Sequence, residues 1–391
     1  MASNTAPLQR HRTFAKGVAL VVMGLLAGCQ TMVPKGPPPG KGPAETAPIS
    51  QLPTDTERHR IALLVPLTGE NAGVGQSIAD AANLALLDSG TTKLRVTTYD
   101  TALGAANAVN RALADGNRLI LGPLLSDDVR AVSSIAAKAD VPVLSFSNDI
   151  SVAGNGTYIL GFTPGQSINR VVRYARTQGK SRFAGLVPNG VYGKRASATL
   201  ISAAEQAGAS VVAMQSYDRS TASLSVAIKK LQANQGYDAV LIADSGRFAI
   251  QAVPLIRKNG GADAQILGTE LWNTENSIAA NPVMQGAMFA SVSDGMFNQL
   301  SAKYKARFGR SPYRLASLGY DAVLLTIRVA GNWTPGTNFP AKALNDPGGF
   351  AGVDGAFRFR NGFIAERALE VQQITSGKFA TISPAPRKFD E

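Results

Sequence analysis

The chain has 391 residues, 45% of them hydrophobic and 17% charged, enough for one large core or two medium ones and too little charge for a disordered polymer. Its 39 basic and 27 acidic residues give a net charge of +12. With two histidines and a single cysteine, a disulfide framework and a thiol- or histidine-built metal or redox centre are excluded.

Arg10, Arg12 and Lys16 precede the apolar run 17–26, with no acidic residue nearby. The run is too short to cross a bilayer core of about 30 Å, which takes about 20 helical residues, and it has the length of a signal-peptide core. Leu26-Ala27-Gly28-Cys29 resembles the lipobox of bacterial lipoproteins. That resemblance implies a signal peptide over 1–28, a lipid on the Cys29 thiol and acylation of the new amino terminus. Several acyl chains on one residue anchor stably, where one chain holds only marginally. Gln30, not Asp, follows the cysteine, which by resemblance to Gram-negative lipoproteins implies the outer membrane, facing the periplasm. Loss of 1–28 removes three basic residues and no acidic one, so the charge falls from +12 to +9. Outside the cytoplasm that charge meets lipid head groups, cell-wall carboxylates and acidic proteins, so no nucleic-acid partner is expected. Residues 29–57 are rich in Pro and Gly and read as a lipidated linker. It would reach about 80 Å as extended polyproline and about 30 Å as a coil.

From residue 60 short apolar runs alternate with helical patterns. Strand 61–65 ends at Pro66, and the loop 67–75 leads to a helix with Ile78, Ala81, Ala82, Ala85 and Leu86 on one face. That is the spacing of a buried helical stripe, and Gly90 is placed to stop it. Strand 94–98, helix 105–114, strand 118–121, helix 127–137 and strand 141–146 follow. After Gly161 the alternation restarts with helix 167–177, strand 183–187, helix 192–207 and strand 210–214. Helix 222–233, strand 239–242, helix 248–258 and strand 265–268 complete it. Two such runs predict an α/β fold with two lobes, each on a mostly parallel sheet flanked by helices. Right-handed crossovers then gather the loops after the strands on one edge, where ligands bind. The tail reads as two adjoining helices, 295–308 and 315–330. A segment 355–359, a turn at Asn361-Gly362 and a strand 369–374 form a hairpin-like ending.

The segments IALLVPLTGENAGVGQSIADAANLAL, LILGPLLSDDVRAVSSIAAKADVPVLSFSND and GVDGAFRFRNGFIAERALEVQQI resemble type I periplasmic binding proteins. More narrowly, with the lipobox, they resemble the penicillin-binding protein activator family, the LppC/LpoA group of outer-membrane lipoproteins. The resemblance covers 58–378 and implies three hinge crossings, near 161–166, 288–294 and 332–348. The first lobe would be 58–162 plus 295–335, the second 163–290 plus 345–380. It implies a penicillin-binding protein (a peptidoglycan synthase) as partner, activated without catalysis. The alternative is a receptor for a small polar ligand such as an amino acid, in transport or sensing. The best-studied activators carry a helical-repeat domain where this sequence has its Pro-rich linker.

An enzyme is not expected. His59 is the one histidine after residue 28, and neither G-x-S-x-G nor S-x-x-K occurs, so an acyl-enzyme has no nucleophile and base. Gly69, Gly73 and Gly75 do not form G-x-G-x-x-G. Asp127 and Asp128 read as charges at a helix N-terminus. No catalytic residue, cofactor or metal is expected. Candidate ligand-cleft residues lie instead at strand ends: Thr68, Glu70, Ser126, Ser145, Ser147 and Asn148 in the first lobe, and Tyr192, Asp244, Ser245, Glu270 and Trp272 in the second. By resemblance to amino-acid-binding members, hydroxyls after strand 141–146 would meet a carboxylate. Tyr192 and Glu270 would cover the body and amine, although SFSND lacks the Ser/Ala-Thr pairing of such binders. Each residue also reads as a cap or turn, as Ser245 before its helix. The stretch KYKARFGRSPYR, 303–314, reads as a docking patch or, more simply, as a solvated helix face and turn.

Overall fold

The first strand, β1 (His59–Val65), is apolar on both faces because both are covered. Ile61, Leu63 and Val65 join one core cluster, while Ala62 and Leu64 join another. Burial on two sides marks a central strand of a parallel sheet. The computed structural model describes residues 55–233, 236–359 and 362–386. The signal segment, Cys29 and most of the linker lie outside them.

Five strands form the first sheet: β1, β2 (Leu94–Asp100), β3 (Leu119–Leu121), β4 (Val143–Ser145) and β5 (Thr157–Ile159). Their order is β2-β1-β3-β4-β5, with every pairing parallel. Helices α1 (Ala72–Ser89), α2 (Ala105–Ala114) and α3 (Ser126–Lys138) connect them. The second sheet begins after α4 (Pro164–Thr177) and contains β6 (Arg182–Pro188), β7 (Ser210–Tyr217), β8 (Ala239–Ile242), β9 (Gln265–Gly268) and β10 (Met288–Ser291). Between these run α5 (Val191–Gln206), α6 (Thr221–Ala233), α7 (Gly246–Lys258) and the short α8 (Asn276–Ala280). The two halves share one local device. A Cβ on Gly75, at the start of α1, would stand 1.7 Å from the Pro66 carbonyl, and one on Gly193, in α5, 1.7 Å from that of Pro188. Only glycine lets the helix start so close to the end of its strand.

The chain crosses between lobes three times. The first crossing follows β5 at 160–163. The second follows β10, after which α9 (Gly295–Phe308) and α10 (Ala316–Ala330) return to the first lobe, where Leu300 and Tyr304 pack with Ala81 and Leu84. The third lies elsewhere than expected. Strands β11 (Phe350–Gly352), β12 (Gly355–Phe359) and β13 (Ala365–Arg367) form a separate antiparallel sheet. Phe350, Phe357, Phe359 and Ala365 share the core of Ile61, Leu63 and Leu121, and Ile159 bridges to Ile364. Residues 350–367 therefore pack with the first lobe, and the crossing falls at Ala368-Leu369 rather than 332–348. Placing all of 345–380 in the second lobe is corrected accordingly.

The expected terminal hairpin is corrected too. β12 pairs with β13, whereas the strand expected at 369–374 is β14 (Glu370–Thr375), which pairs antiparallel with β10, and β15 (Lys378–Ser383) adds beside it. Burial of Val371 and Ile374 in second-lobe cores decides the partner, which a local alternation of apolar residues leaves open. Asn361 lies outside the described residues. The second sheet is thus mixed, ordered β15-β14-β10-β9-β8-β6-β7.

Candidate functional site: the cleft between the lobes

The loops that leave the C-terminal ends of the parallel strands face one another across a cleft of about 500 Å³. Its walls are mainly apolar: Val74, Leu124, Leu125, Phe146 and Leu315 from the first lobe, Leu271 from the second, and Phe162 from the first crossing. Asn148, Tyr313, Glu270 and Arg314 add the polar groups. Adjoining it lies a smaller pocket of about 30 Å³, whose lining shares Phe162, Glu270 and Arg314 with the cleft and adds Gln166, Asn273 and Ser291.

Glu270 sits just after β9. Its Oε1 accepts a 3.2 Å hydrogen bond from the Tyr192 hydroxyl, which also lies 3.0 Å from Thr269 Oγ1. Its Oε2 is sealed from solvent without a partner. Burial pushes the carboxyl up to about 7, against the lowering effect of the hydrogen bonds it receives, those of Tyr192 and Thr269 among them. Burial and the neighbouring Glu270 charge push the Tyr192 phenol well up.

A buried ionic cluster stands where the crossings meet. Arg314 Nη1 donates to Asp354 Oδ1 at 2.6 Å and to Ser317 Oγ at 3.1 Å, and Nη2 lies 3.4 Å from Asp294. Its guanidinium covers the Phe297 ring at 4.1 Å. Arg367 donates to the Leu160 carbonyl at 2.7 Å and lies over Phe162. Asp321, buried next to Asp354, is pushed up to about 7 by that burial and by the Asp354 charge. Asp294 also accepts from Asn273 of the second lobe at 3.0 Å. A second link joins the lobes, where Arg195 of α5 meets Asp149 at 2.5 Å and Arg130 of α3 meets the same carboxylate at 3.0 Å. Burial by itself would raise Asp149, but the Ser151 hydroxyl and N–H, with Arg195, outweigh it and hold the carboxyl below its usual value.

Of the residues expected to line the cleft, Asn148 and Glu270 do, and Tyr192 supports Glu270. Ser145 and Ser147 are buried and engaged by their own chain: Ser145 Oγ donates to the Pro123 carbonyl and accepts from Ser147 N, and Ser147 Oγ accepts from Asp149 N. Thr68 donates to Asp100 at 2.8 Å, Glu70 is exposed, and Ser126 opens α3 while its neighbours Leu124 and Leu125 line the wall. Asp244 is buried under Tyr217 and a bidentate Arg219. Trp272 lies wholly in the second-lobe core with its indole N–H on the Asp244 carbonyl, packed so close to Gly268 that a Cβ there would stand 2.3 Å from its ring. Neither Asp244 nor Trp272 reaches the cleft, because both fill the space beneath the strand ends. Ser245 stands at the N-cap of α7 without a side-chain bond, and the Glu275 carboxylate takes the Gly246 and Arg247 N–H groups instead. In the basic stretch, Lys303, Arg310 and Arg314 pair with Asp88, Asp80 and Asp354. Sequence reasoning missed Arg314 and Asn273 as cleft residues, Arg314 because it precedes α10 and does not follow a strand, and Asn273 although it shares the turn after β9 with Glu270 and Trp272; the apolar wall could have been found from the LLS run at the start of α3.

A model of the periplasmic binding protein family matches residues 59–378. The chain is 25% identical over 176 residues to an uncharacterized protein of Rickettsia prowazekii, a match covering 44% of this chain and 47% of that protein. It is 26% identical over 139 residues to penicillin-binding protein activator LpoA of Photobacterium profundum, over 34% of this chain and 23% of that one. The matches thus span less than half the length of either relative. Among solved structures, a putative branched-chain amino acid ABC transporter from Rhodospirillum rubrum superposes with a TM-score of 0.74 at 21% identity, over 83% of this chain and 100% of that one. Two sheet-based lobes, three crossings and a cleft at the strand ends are the architecture of that group, and the chain belongs to the periplasmic binding protein family.

Proposed function

We propose that the chain is an outer-membrane lipoprotein, anchored through Cys29 and facing the periplasm, that binds and activates a penicillin-binding protein and does no covalent chemistry itself. The observation that carries this reading is the sequence likeness to LpoA, 26% over 139 residues. The likeness to the R. rubrum transporter structure, at 21%, carries the fold alone. The first wall of the cleft also favours it: Ser145 and Ser147, the expected carboxylate hydroxyls, are engaged by the backbone. The test is the glycan-polymerising and cross-linking rate of each purified synthase of the host, with and without the chain. A rise with at least one synthase is expected, and flat rates with all of them would reject the reading.

A second reading, a receptor for a small polar ligand, is favoured by one feature, the unpartnered Glu270 Oε2 beside Tyr192. A ligand at 100 times its Kd stabilises the native state by about 2.7 kcal/mol, so a metabolite panel read by melting temperature tests it. No shift with any compound would remove it.

A further inference from the structure

The second sheet ends at β7, whose outer side has no strand beside it. The Tyr217 carbonyl accepts the Asn189 N–H, just after β6, at 2.7 Å, so the Tyr217 backbone faces into the sheet. Backbone groups alternate sides along a parallel strand. Ala213 and Gln215 therefore also face β6, while the N–H and C=O groups of Met214 and Ser216 point outward. Among the described residues nothing bonds them.

Such an edge pairs with another chain unless a charge, a proline, a bulge or short length blunts it. The other edges are blunted. β2 carries Arg95 and Asp100, β15 carries Lys378, and β5, β11 and β13 have three residues each. β7 reads SVVAMQSY over eight residues, with neither charge nor proline. Its one irregularity is a register shift between Phe183–Val211 and Ala184–Ala213, which leaves Val212 as a bulge and Ala213–Tyr217 regular. Beside β7 runs a groove of about 440 Å³, lined by Val211, Val212 and Met214 and, from α5, by Ile201 and Glu205. Ile201 is 43% exposed. The groove shares no lining residue with the inter-lobe cleft.

Charge and symmetry decide which chain fits. A charged partner strand would find no counter-charge in β7. A second β7 matches it, because neither copy brings a charge to the junction. About a two-fold axis through Gln215 the strands run antiparallel, and the outward groups of Met214 in one copy meet those of Ser216 in the other. That axis stands perpendicular to the sheet, so both α5 helices lie on one face and the two Ile201 side chains flank the junction.

We propose that β7 is a self-association edge, on which two copies of this chain join their seven-stranded sheets into one. The contact is isologous and closes at the dimer, and both clefts stay free. The proposal goes beyond the synthase reading and does not rest on it.

Five regular residues and one helix make a small contact, so the dissociation constant is expected on the order of 10–100 µM. Sedimentation of the unacylated chain from about 1 µM to about 500 µM, a range that brackets that constant, is expected to show one monomer–dimer step. Hydrogen exchange at the Met214 and Ser216 amides is expected to slow several-fold across it. The charge of +12 repels a second copy, so added salt is expected to tighten the dimer. S216K places a lysine at the junction, on an exposed side chain, and is expected to weaken association roughly tenfold. V226K, at an exposed position on α6, is expected to leave it unchanged. A monomer at every concentration would overturn the proposal, as would assembly beyond the dimer. So would dissociation by salt, the behaviour of a charge-paired contact, or a dimer whose Met214 and Ser216 amides exchange as in the monomer. A dimer that S216K leaves intact or V226K breaks would place the contact elsewhere and reject this edge.

Discussion

In the first lobe the hydroxyls at the end of β4 are engaged by the chain itself, Ser145 on the Pro123 carbonyl and Ser147 on the Asp149 N–H. In the second lobe the carboxyl after β9 keeps one oxygen without a partner. Both are polar residues at strand ends on the edge where α/β sheets bind ligands. The difference lies in the backbone around them. The turn after β4 offers the Ser147 and Asp149 N–H groups to the serine hydroxyls, as short hydroxyl side chains readily accept, and the neighbouring loop after β3 offers the Pro123 carbonyl. The longer Glu270 side chain reaches past its own backbone to Tyr192 and into the smaller pocket. A strand-end position makes a ligand group only where the local chain leaves it unsatisfied.

That comparison can be broken most forcefully at Trp272. As a core residue it should cost about 3–5 kcal/mol on W272A, the range for large buried aromatics, read by urea unfolding. A cost under about 1 kcal/mol, as for a surface substitution, would return it to the cleft wall. The ionic cluster comes next. D354N removes the carboxylate that Arg314 meets at 2.6 Å, and loss of one partner from a buried pair is expected to cost about 3 kcal/mol. A neutral result would mean that the pair is solvated.

The pH dependence sharpens the contrast between walls. Glu270, at about 7 when folded against an ordinary 4.5, holds its proton more tightly in the native state. Its contribution is full below 4.5 and is lost as pH rises to about 7. E270Q should therefore flatten the difference in stability over that window, and a variant parallel to the parent throughout would contradict the assignment. Buried His59, stacked on Trp333 at 3.9 Å and held below 6.5 by burial, acts with the opposite sign. Its contribution is present above 6.5 and lost as pH falls, so H59Q should flatten the acid side. The smallest stability effect is expected at the link between lobes. R195Q should cost about 0.5 kcal/mol, as partly exposed ion pairs do, yet raise the radius of gyration in small-angle scattering as the lobes separate. An unchanged radius would mean that the crossings alone set the closure.

Much of the second sheet was legible because its strands are short apolar runs bounded by turn residues. The runs at 239–242 and 265–268 coincide with β8 and β9. The site was legible only at Asn148, Tyr192 and Glu270. Trp272 and Asp244 carry the residue types of a binding site, yet both point into the lobe, a choice set by the packing of α7 and of the turn after β9. The apolar wall at Leu124, Leu125 and Phe146 went unread because apolar residues near strands look like core in one dimension.

Sequence periodicity by itself determined the α/β class, the restart after Gly161 and the count of two lobes, since burial on both faces of a parallel strand leaves a local record in each apolar run. Tertiary structure alone decided where the chain returns to the second lobe, which strand β14 joins and which polar atoms stay unsatisfied. Those outcomes depend on partners far apart in the chain, such as Ser291 with Glu370, Gln166 with Ala365 and Arg170 with Leu369, and no short window of sequence contains both members of such a pair.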